Sequence, residues 1–126
     1  MSQGENGYRG VIKGLSLLFF FLLLFPTNAF LEARKGIEEL IGDLRGETPL
    51  VRWHAAELLG KTQDSRAVGP LIEALGDADA GVRREVTQAL GEIQDRRAVK
   101  PLGKMLDDRE EFVRLHAIGA LEKIGG

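Results

Sequence analysis

The sequence repeats one stretch at a fixed spacing, reading VRWHAAELLG at residues 51–60, VRREVTQALG at residues 82–91 and VRLHAIGALE at residues 113–122. Successive copies begin 31 residues apart, and residues 51–81 match residues 82–112 at 13 positions without a gap. Self-similarity at a fixed period of this length is typical of repeat architectures, in which one structural unit is used several times. The chain is therefore interpreted first as an array of repeats.

Each copy has the apolar spacing of an amphipathic helix. Apolar residues recur at offsets of 0, 4, 7 and 8 from the leading valine, as on one side of an α-helix. In the second copy these residues are Val82, Val86, Ala89 and Leu90. After a Gln-Asp turn, a second helix is predicted in each unit, and its apolar residues in the first unit are Val68, Leu71, Ile72 and Leu75.

The start of the second helix has its own signals. Asp64 and Asp95 precede it, and a side chain of this type accepts a hydrogen bond from a free N–H at a helix start. Pro70 and Pro101 follow, and because proline has no N–H to donate, both are expected in the first turn of the helix.

The pattern also extends upstream, since Leu40 and Leu44 stand 31 residues before Leu71 and Leu75. The sequence therefore predicts six helices: a lone second helix, two full pairs and a final first helix at about residues 109–124. One pair is too small to bury its own apolar side, so neighbouring pairs must share a core. The predicted fold class is all-α, an α-solenoid of stacked antiparallel helix pairs with about three short repeats. The predicted repeat domain covers residues 30–126, with a partial repeat at 31–50, full repeats at 51–81 and 82–112, and a partial repeat at 113–126.

The first 29 residues differ in composition from the rest. Arg9 and Lys13 precede LSLLFFFLLLF at residues 15–25, and Pro26 and small residues follow up to Ala29. This order is typical of a cleaved signal peptide, and the rival interpretation is a retained N-terminal membrane anchor helix. Eleven helical residues span roughly 16 Å, against about 30 Å of hydrocarbon, which favours cleavage. Either interpretation places the repeats outside the cytoplasm, in the periplasm or secreted, or anchored to a membrane through this segment.

Composition excludes several classes of function. The chain of 126 residues has no cysteine, which removes disulfides, thiolate metal sites and a cysteine nucleophile. Its formal net charge of −2 creates no field that would attract nucleic acid. One basic cluster keeps a nucleic-acid-binding solenoid as the last alternative, although acidic residues share its helices. It comprises Arg83, Arg84, Arg96, Arg97, Lys100 and Lys104.

At this point the sequence resembles a known family. The pattern V-R-x-x-A-x-x-A-L-G-x-I followed by D-x-R-A-V-x-P-L-x-x-x-L is similar to the short HEAT-like repeat of the phycobilisome-lyase type, over about residues 36–126. The resemblance implies an armadillo-like helical solenoid that binds proteins. Two positions depart from the pattern: Thr62 replaces an isoleucine, and Glu122 stands where Gly60 and Gly91 stand.

An arginine follows the leading valine in every copy, as Arg52, Arg83 and Arg114. These residues form either a row of cations for an anionic partner or a structural ladder in which each arginine pairs with an internal acid. The second interpretation is favoured, because a guanidinium fork suits a carboxylate and because the family resemblance implies it. The acid is expected in the preceding turn, Asp77 or Asp79 for Arg83 and Asp108 for Arg114.

The histidines are not predicted to bind a metal. The resemblance extends to deoxyhypusine hydroxylase, whose metal ligands are His-Glu dipeptides, but the equivalent positions here are Trp53-His54, Arg84-Glu85 and Leu115-His116. His54 and His116 lie two repeats apart, which is roughly 15–20 Å for helices that pack at 8–10 Å. His54, Glu85 and His116 are instead expected in a row along one face of the first helices, which is either a binding stripe or, as the favoured interpretation, a solvated flank. No metal, cofactor or catalytic residue is predicted.

The favoured function is a non-catalytic protein-protein interaction scaffold. Its partner is expected on the second helices at Glu73, Arg97, Lys100 and Lys104. Trp53 is interpreted either as an anchor for the partner, because tryptophan is enriched among residues that dominate binding, or as a packed core residue. The alternative is an accessory subunit of a lyase-type or hydroxylase-type HEAT enzyme that lacks the metal ligands.

The C-terminal helix raises a separate expectation. No second helix follows it in the sequence, so Val113, Ala117, Leu121 and Ile124 are expected to be uncovered on one side. Exposing even two such aliphatic side chains forgoes roughly 3–6 kcal/mol of burial. The prediction is that this helix self-associates, contacts a partner, or belongs to a truncated chain.

Overall fold

A computed structural model describes residues 35–125, and within them the chain forms six α-helices and no strand. These are α1 (Ile37–Asp43), α2 (Pro49–Thr62), α3 (Val68–Ala74), α4 (Ala80–Ile93), α5 (Val99–Lys104) and α6 (Glu111–Gly125). The predicted all-α fold and its alternation of first and second helices are confirmed, and the first helices are longer than the second helices. The predicted signal or anchor segment, residues 1–29, lies outside the described residues. None of the helices described combines the length and hydropathy needed to cross a membrane.

The turn between the helices of a pair is built in the same way in both full repeats. The first helix ends at a glutamine in the left-handed region, Gln63 at φ 53° and Gln94 at φ 59°. The side chains of Asp64 and Asp95 then accept the N–H two residues later, each at 2.9 Å, and open a short 3₁₀ turn. The predicted capping role of these aspartates is confirmed, and Pro70 lies in the first turn of α3 as expected.

The first helices stack side by side, with α4 between α2 and α6. Each second helix packs against the first helix that follows it in the chain, α1 on α2, α3 on α4 and α5 on α6. One continuous core results, because every pair supplies apolar side chains to its neighbour. Its largest buried side chains are those of Leu59, Leu71, Val82, Val86, Leu90, Leu102 and Val113.

Two glycines set the spacing of the first helices. A Cβ added to Gly60 would stand 3.0 Å from the Cα of Ala89, and one added to Gly91 would stand 2.9 Å from the Cα of Ala120. Real side chains do not tolerate such distances from backbone atoms, so adjacent first helices approach until their backbones touch. The repeated glycine in the motif therefore has a packing role.

The final helix is buried on a different side from the one expected. Val113 and Ala117 are fully buried, and Ala120 is 3% exposed, because this stripe faces α4 and α5. The expectation that the stripe is uncovered was wrong for Val113 and Ala117. The exposed apolar residues of α6 are instead Phe112 at 39%, Leu115 at 57% and Ile118 at 46%.

Replacement of Gly91 by alanine should destabilise the domain by about 1–3 kcal/mol, because α4 and α6 must move apart to admit the methyl group. Gly103 is the matched control, since a Cβ there meets nothing within 4 Å. Gly103→Ala should be neutral or stabilising by up to about 1 kcal/mol, because alanine loses less backbone freedom on folding. Urea denaturation measures both, and equal effects of the two variants would contradict the assigned role of Gly91.

Candidate protein-binding surfaces

A ladder of hydrogen bonds runs across the loops that precede the first helices. Arg52 donates from Nε and Nη2 to the carboxylate of Asp77 at 2.7 and 3.2 Å, and Arg83 makes the same two bonds to Asp108 at 2.9 and 3.2 Å. Each arginine also donates from Nη1 to a backbone carbonyl, Arg52 to Gly46 and Arg83 to Asp77, both at 2.9 Å. Each guanidinium is therefore held on two sides.

The ladder runs in the direction opposite to the one predicted. The acid of Arg83 was expected in the preceding turn, but it is Asp108 in the following loop, and the preceding turn supplies only carbonyl oxygens. Arg114 likewise takes the carbonyl of Asp108 at 2.7 Å and not its carboxylate. Asp77 and Asp108 thus each join two repeats, one through the side chain and one through the carbonyl.

The middle of the ladder is withdrawn from solvent. The side chains of Arg83 and Asp108 are only 7% and 8% exposed. Burial raises the pKa of the Asp108 carboxyl, but hydrogen bonds from Arg83 and from the N–H of Glu110 outweigh it and leave the pKa below its ordinary value. The carboxylate therefore stabilises the fold at neutral pH, and this contribution is lost as the pH falls through the acidic range.

The first helices carry a row of titratable side chains, and the expectation that it is a solvated flank was wrong for Glu85. Glu85 is 6% exposed. His54 and His116 are partly exposed, and each bonds within its own helix: the His54 ring contacts Glu57 at 3.3 Å, and the Nδ1–H of His116 donates to the carbonyl of Phe112 at 2.7 Å. Each histidine ring therefore has a partner within its own helix.

Burial raises the pKa of Glu85. The charge of Arg84 acts against this shift, as does that of His116, whereas the carboxylates of Glu57 and Glu92 add to it. Arg84 approaches Glu85 only to 3.9 Å, and its Nε is buried without a hydrogen-bond partner. In residues 35–125 no three His, Asp or Glu side chains come together as a metal ion would require.

The residues predicted to meet a partner have different surroundings. Trp53 is half-buried and packs against the core. Glu73 is exposed and pairs with Arg45 at 2.9 Å, at a groove of about 570 Å³ between α1 and α3. Arg97 is exposed but donates to Asp95 at 2.9 Å and to a backbone carbonyl one repeat earlier.

The remaining two, Lys100 and Lys104, lie one turn apart on α5 and are both exposed. Neither forms an ion pair within the described residues, and neither does the exposed Arg96 in the turn before the helix. Val99 and Leu106 flank these cations and are 41% and 39% exposed. We refer to Arg96, Val99, Lys100, Lys104 and Leu106 as the α5 patch.

The apolar part of the α5 patch could not be found from the sequence pattern. Val68 and Leu75 occupy the same positions one repeat earlier and are 0% and 5% exposed. The same residue types at the same repeat positions are therefore buried in one repeat and exposed in the next. The structure also removes Arg83 from the predicted basic cluster, because its side chain is buried and paired with Asp108.

The family of HEAT repeats matches residues 37–126. The chain belongs to the HEAT-repeat family. Its short repeats are of the phycobilisome-lyase type, as the sequence motif predicted. No match was found among curated proteins.

Two solved HEAT-repeat structures are similar to this HEAT domain. One is the complex of CpcE and CpcF of phycocyanin lyase from Nostoc sp. PCC7120, with a TM-score of 0.68 and 32% identity over 72% of this chain and 38% of that chain. The other is human deoxyhypusine hydroxylase in complex with glycerol, with a TM-score of 0.67 and 30% identity over 71% of this chain and 32% of that chain. The chain thus spans only 38% and 32% of the length of these two chains.

The ladder predicts that replacing two different arginines of the HEAT domain by alanine has very different effects on the free energy of unfolding. Arg83→Ala leaves the buried Asp108 carboxylate unpaired and should cost about 3–5 kcal/mol. Arg97→Ala removes a pair whose side chains are 59% and 23% exposed, and should leave the free energy of unfolding nearly unchanged. Urea unfolding at neutral pH measures both values, and a loss below about 1 kcal/mol for Arg83→Ala would contradict the assigned role of the ladder.

Proposed function

We propose that this HEAT domain is a non-catalytic protein-binding module and that its partner docks on the α5 patch. The observation that carries the proposal is the coincidence, along α5 and the 3₁₀ turn that follows it, of cations that form no ion pair within residues 35–125 with exposed apolar side chains. Lys100 and Lys104 repel each other at this spacing. Val99 and Leu106 beside them have buried counterparts one repeat earlier. A partner that covers the patch would remove both defects.

The chemistry of the patch describes the partner. Carboxylates of the partner would pair with the cations of the patch. An apolar residue of the partner would pack between Val99 and Leu106. An acidic amphipathic segment of another protein, such as a helix with one apolar stripe, supplies both. The Arg45–Glu73 pair and the groove between α1 and α3 lie on the same layer of second helices and offer a continuation of this surface.

Similarity to the lyase supports a role in protein assembly. The solved structure in that case is a complex of two proteins, CpcE and CpcF. The same similarity favours a second candidate function, an accessory subunit of a lyase-type or hydroxylase-type enzyme. In that case the partner on the α5 patch would be the catalytic subunit or its protein substrate. Nucleic acid is the weakest alternative, because Arg83 is buried and Arg97 is engaged by Asp95.

We further propose that the domain acts outside the cytoplasm. This rests on the sequence order of residues 1–29, in which basic residues precede an apolar stretch and small residues follow it. Whether that segment is cleaved or retained as an anchor, the partner would then be an exported or envelope protein.

Charge reversal on α5 should weaken partner binding. Lys100→Glu and Lys104→Glu each remove an attraction and add a repulsion, so each should raise the dissociation constant about five- to tenfold, which corresponds to about 1–1.4 kcal/mol. The measurement is affinity capture from envelope extracts of the source cells, followed by titration of the protein that wild type retains.

Lys61→Glu is the matched control, because Lys61 is exposed on a first helix and carries the same charge. A partner that is retained by wild type and by Lys61→Glu, but lost by the α5 variants, supports the proposal. Equal retention by all four proteins would rule out the α5 patch as the docking surface. Retention that nuclease treatment abolishes would favour nucleic acid instead.

A further inference from the structure

One ridge of α6 is exposed where the equivalent ridges of α2 and α4 are covered. Arg114, Ile118 and Glu122 stand four residues apart along this ridge, with Leu115 beside it. Ile118 is 46% exposed, whereas Ala56 and Thr87 at the same position in the preceding repeats are fully buried by the next first helix. The ridge therefore lies on the side of α6 that faces away from α4.

A further helix cannot cover this ridge in the way that α4 covers α2. The approach of neighbouring first helices requires glycine at position 60 or 91, since a Cβ there would stand 3.0 or 2.9 Å from the next backbone. At the equivalent position α6 has Glu122, which is exposed. Whatever packs on α6 must therefore accommodate a glutamate where the internal repeats need a glycine.

Neither charged residue of the ridge is paired with an opposite charge among residues 35–125. Arg52 and Arg83 each take a carboxylate from the following loop, but Arg114 has only the carbonyl of Asp108. Glu122 forms no ion pair with any described residue. Arg114 and Glu122 are also equidistant in sequence from Ile118, four residues to each side.

We propose that the ridge binds a second copy of itself, with two α6 helices packed antiparallel about a two-fold axis at Ile118. This arrangement places Arg114 of one copy opposite Glu122 of the other and repeats the same pair on the far side of the axis. A two-fold interface requires such self-complementarity, in which residue i meets j and j meets i. The aliphatic side chains of Ile118 and Leu115 occupy the centre.

The geometry of paired helices suits this register. Arg114 and Glu122 are separated by about 12 Å along the helix, and helices that pack near antiparallel keep their axes about 8–10 Å apart. At this separation the long side chains of Arg114 in one copy and Glu122 in the other can reach each other. The glutamate that stands in place of the glycine becomes the residue that the second copy needs.

The size of the interface sets the expected affinity. A pair of 15-residue helices offers less area than the roughly 1,600 Å² of a standard stable complex, so a reversible dimer is expected. This interface is separate from the α5 patch, because it uses the opposite layer of helices. Its failure and the failure of the proposed partner binding are therefore distinguishable.

Sedimentation equilibrium of the full chain across about 1–300 µM should show a monomer–dimer equilibrium in that range. Glu122→Arg places two arginines opposite each other on both sides of the axis and should weaken the dimer at least tenfold. Glu39→Arg is a control of equal charge change at an exposed position of α1 and should leave self-association unchanged. A wild-type chain that stays monomeric throughout, or a Glu122→Arg variant that dimerises as wild type does, would overturn the proposal.

Mixing tests the register itself. Arg114→Glu should also be monomeric alone, but a mixture of the Arg114→Glu and Glu122→Arg chains pairs glutamate with arginine at every contact and should form a heterodimer. If Arg114→Glu fails to fold, as circular dichroism would show, the double variant Arg114→Glu/Glu122→Arg and the single variant Ile118→Lys replace it. The double variant should dimerise and Ile118→Lys should not. Absence of association in the mixture of folded variants, or in a folded double variant, would refute the antiparallel pairing.

Discussion

The fold depends on the contact between the backbone of one first helix and the alanine of the next. Gly60 on Ala89 and Gly91 on Ala120 bring α2, α4 and α6 together until no side chain fits between them. At that separation the stripes of valine and leucine on neighbouring helices form a single core, which neither pair could form by itself. The second helices need only cover this core from one side, and for this reason seven or six residues suffice for α3 and α5.

The arginine–aspartate ladder is the polar counterpart of that contact. Each aspartate is fixed in its loop by a backbone N–H and receives one arginine on its carboxylate and another on its carbonyl. Buried charges stabilise a fold only when they are paired with good geometry, and here the pairing requires adjacent repeats to be in register. The ladder and the glycine contact both end at α6, where Arg114 has no carboxylate and Glu122 replaces the glycine. Within residues 35–125, both features that hold the repeats together are therefore missing on the outer side of α6.

Much of this architecture was predictable from the sequence, because period and capping are local. The 31-residue repeat, the helix pairs, the capping aspartates and the family all follow from residue spacing. The direction of the ladder does not, because Asp77 and Asp108 lie between two arginines in sequence and only the packing decides which one each carboxylate meets. Exposure is equally non-local: Val68 is buried and Val99 is exposed although both begin a second helix with the same residue. Glu85 is buried although its flanking histidines are not, because α2 and α6 enclose the middle helix from both sides.

The central claim is that each helical pair is stable only when it shares a core with its neighbours. Circular dichroism of an isolated peptide of residues 51–81, compared with the domain of residues 36–126, tests this most directly. A helix of 14 residues is marginal in water, and the peptide lacks the apolar side chains that α1 and α4 supply. The account predicts a largely unfolded peptide without a cooperative thermal transition, beside a domain that unfolds in one cooperative step. A peptide with the helix content of the intact repeat and a cooperative transition of its own would contradict the account.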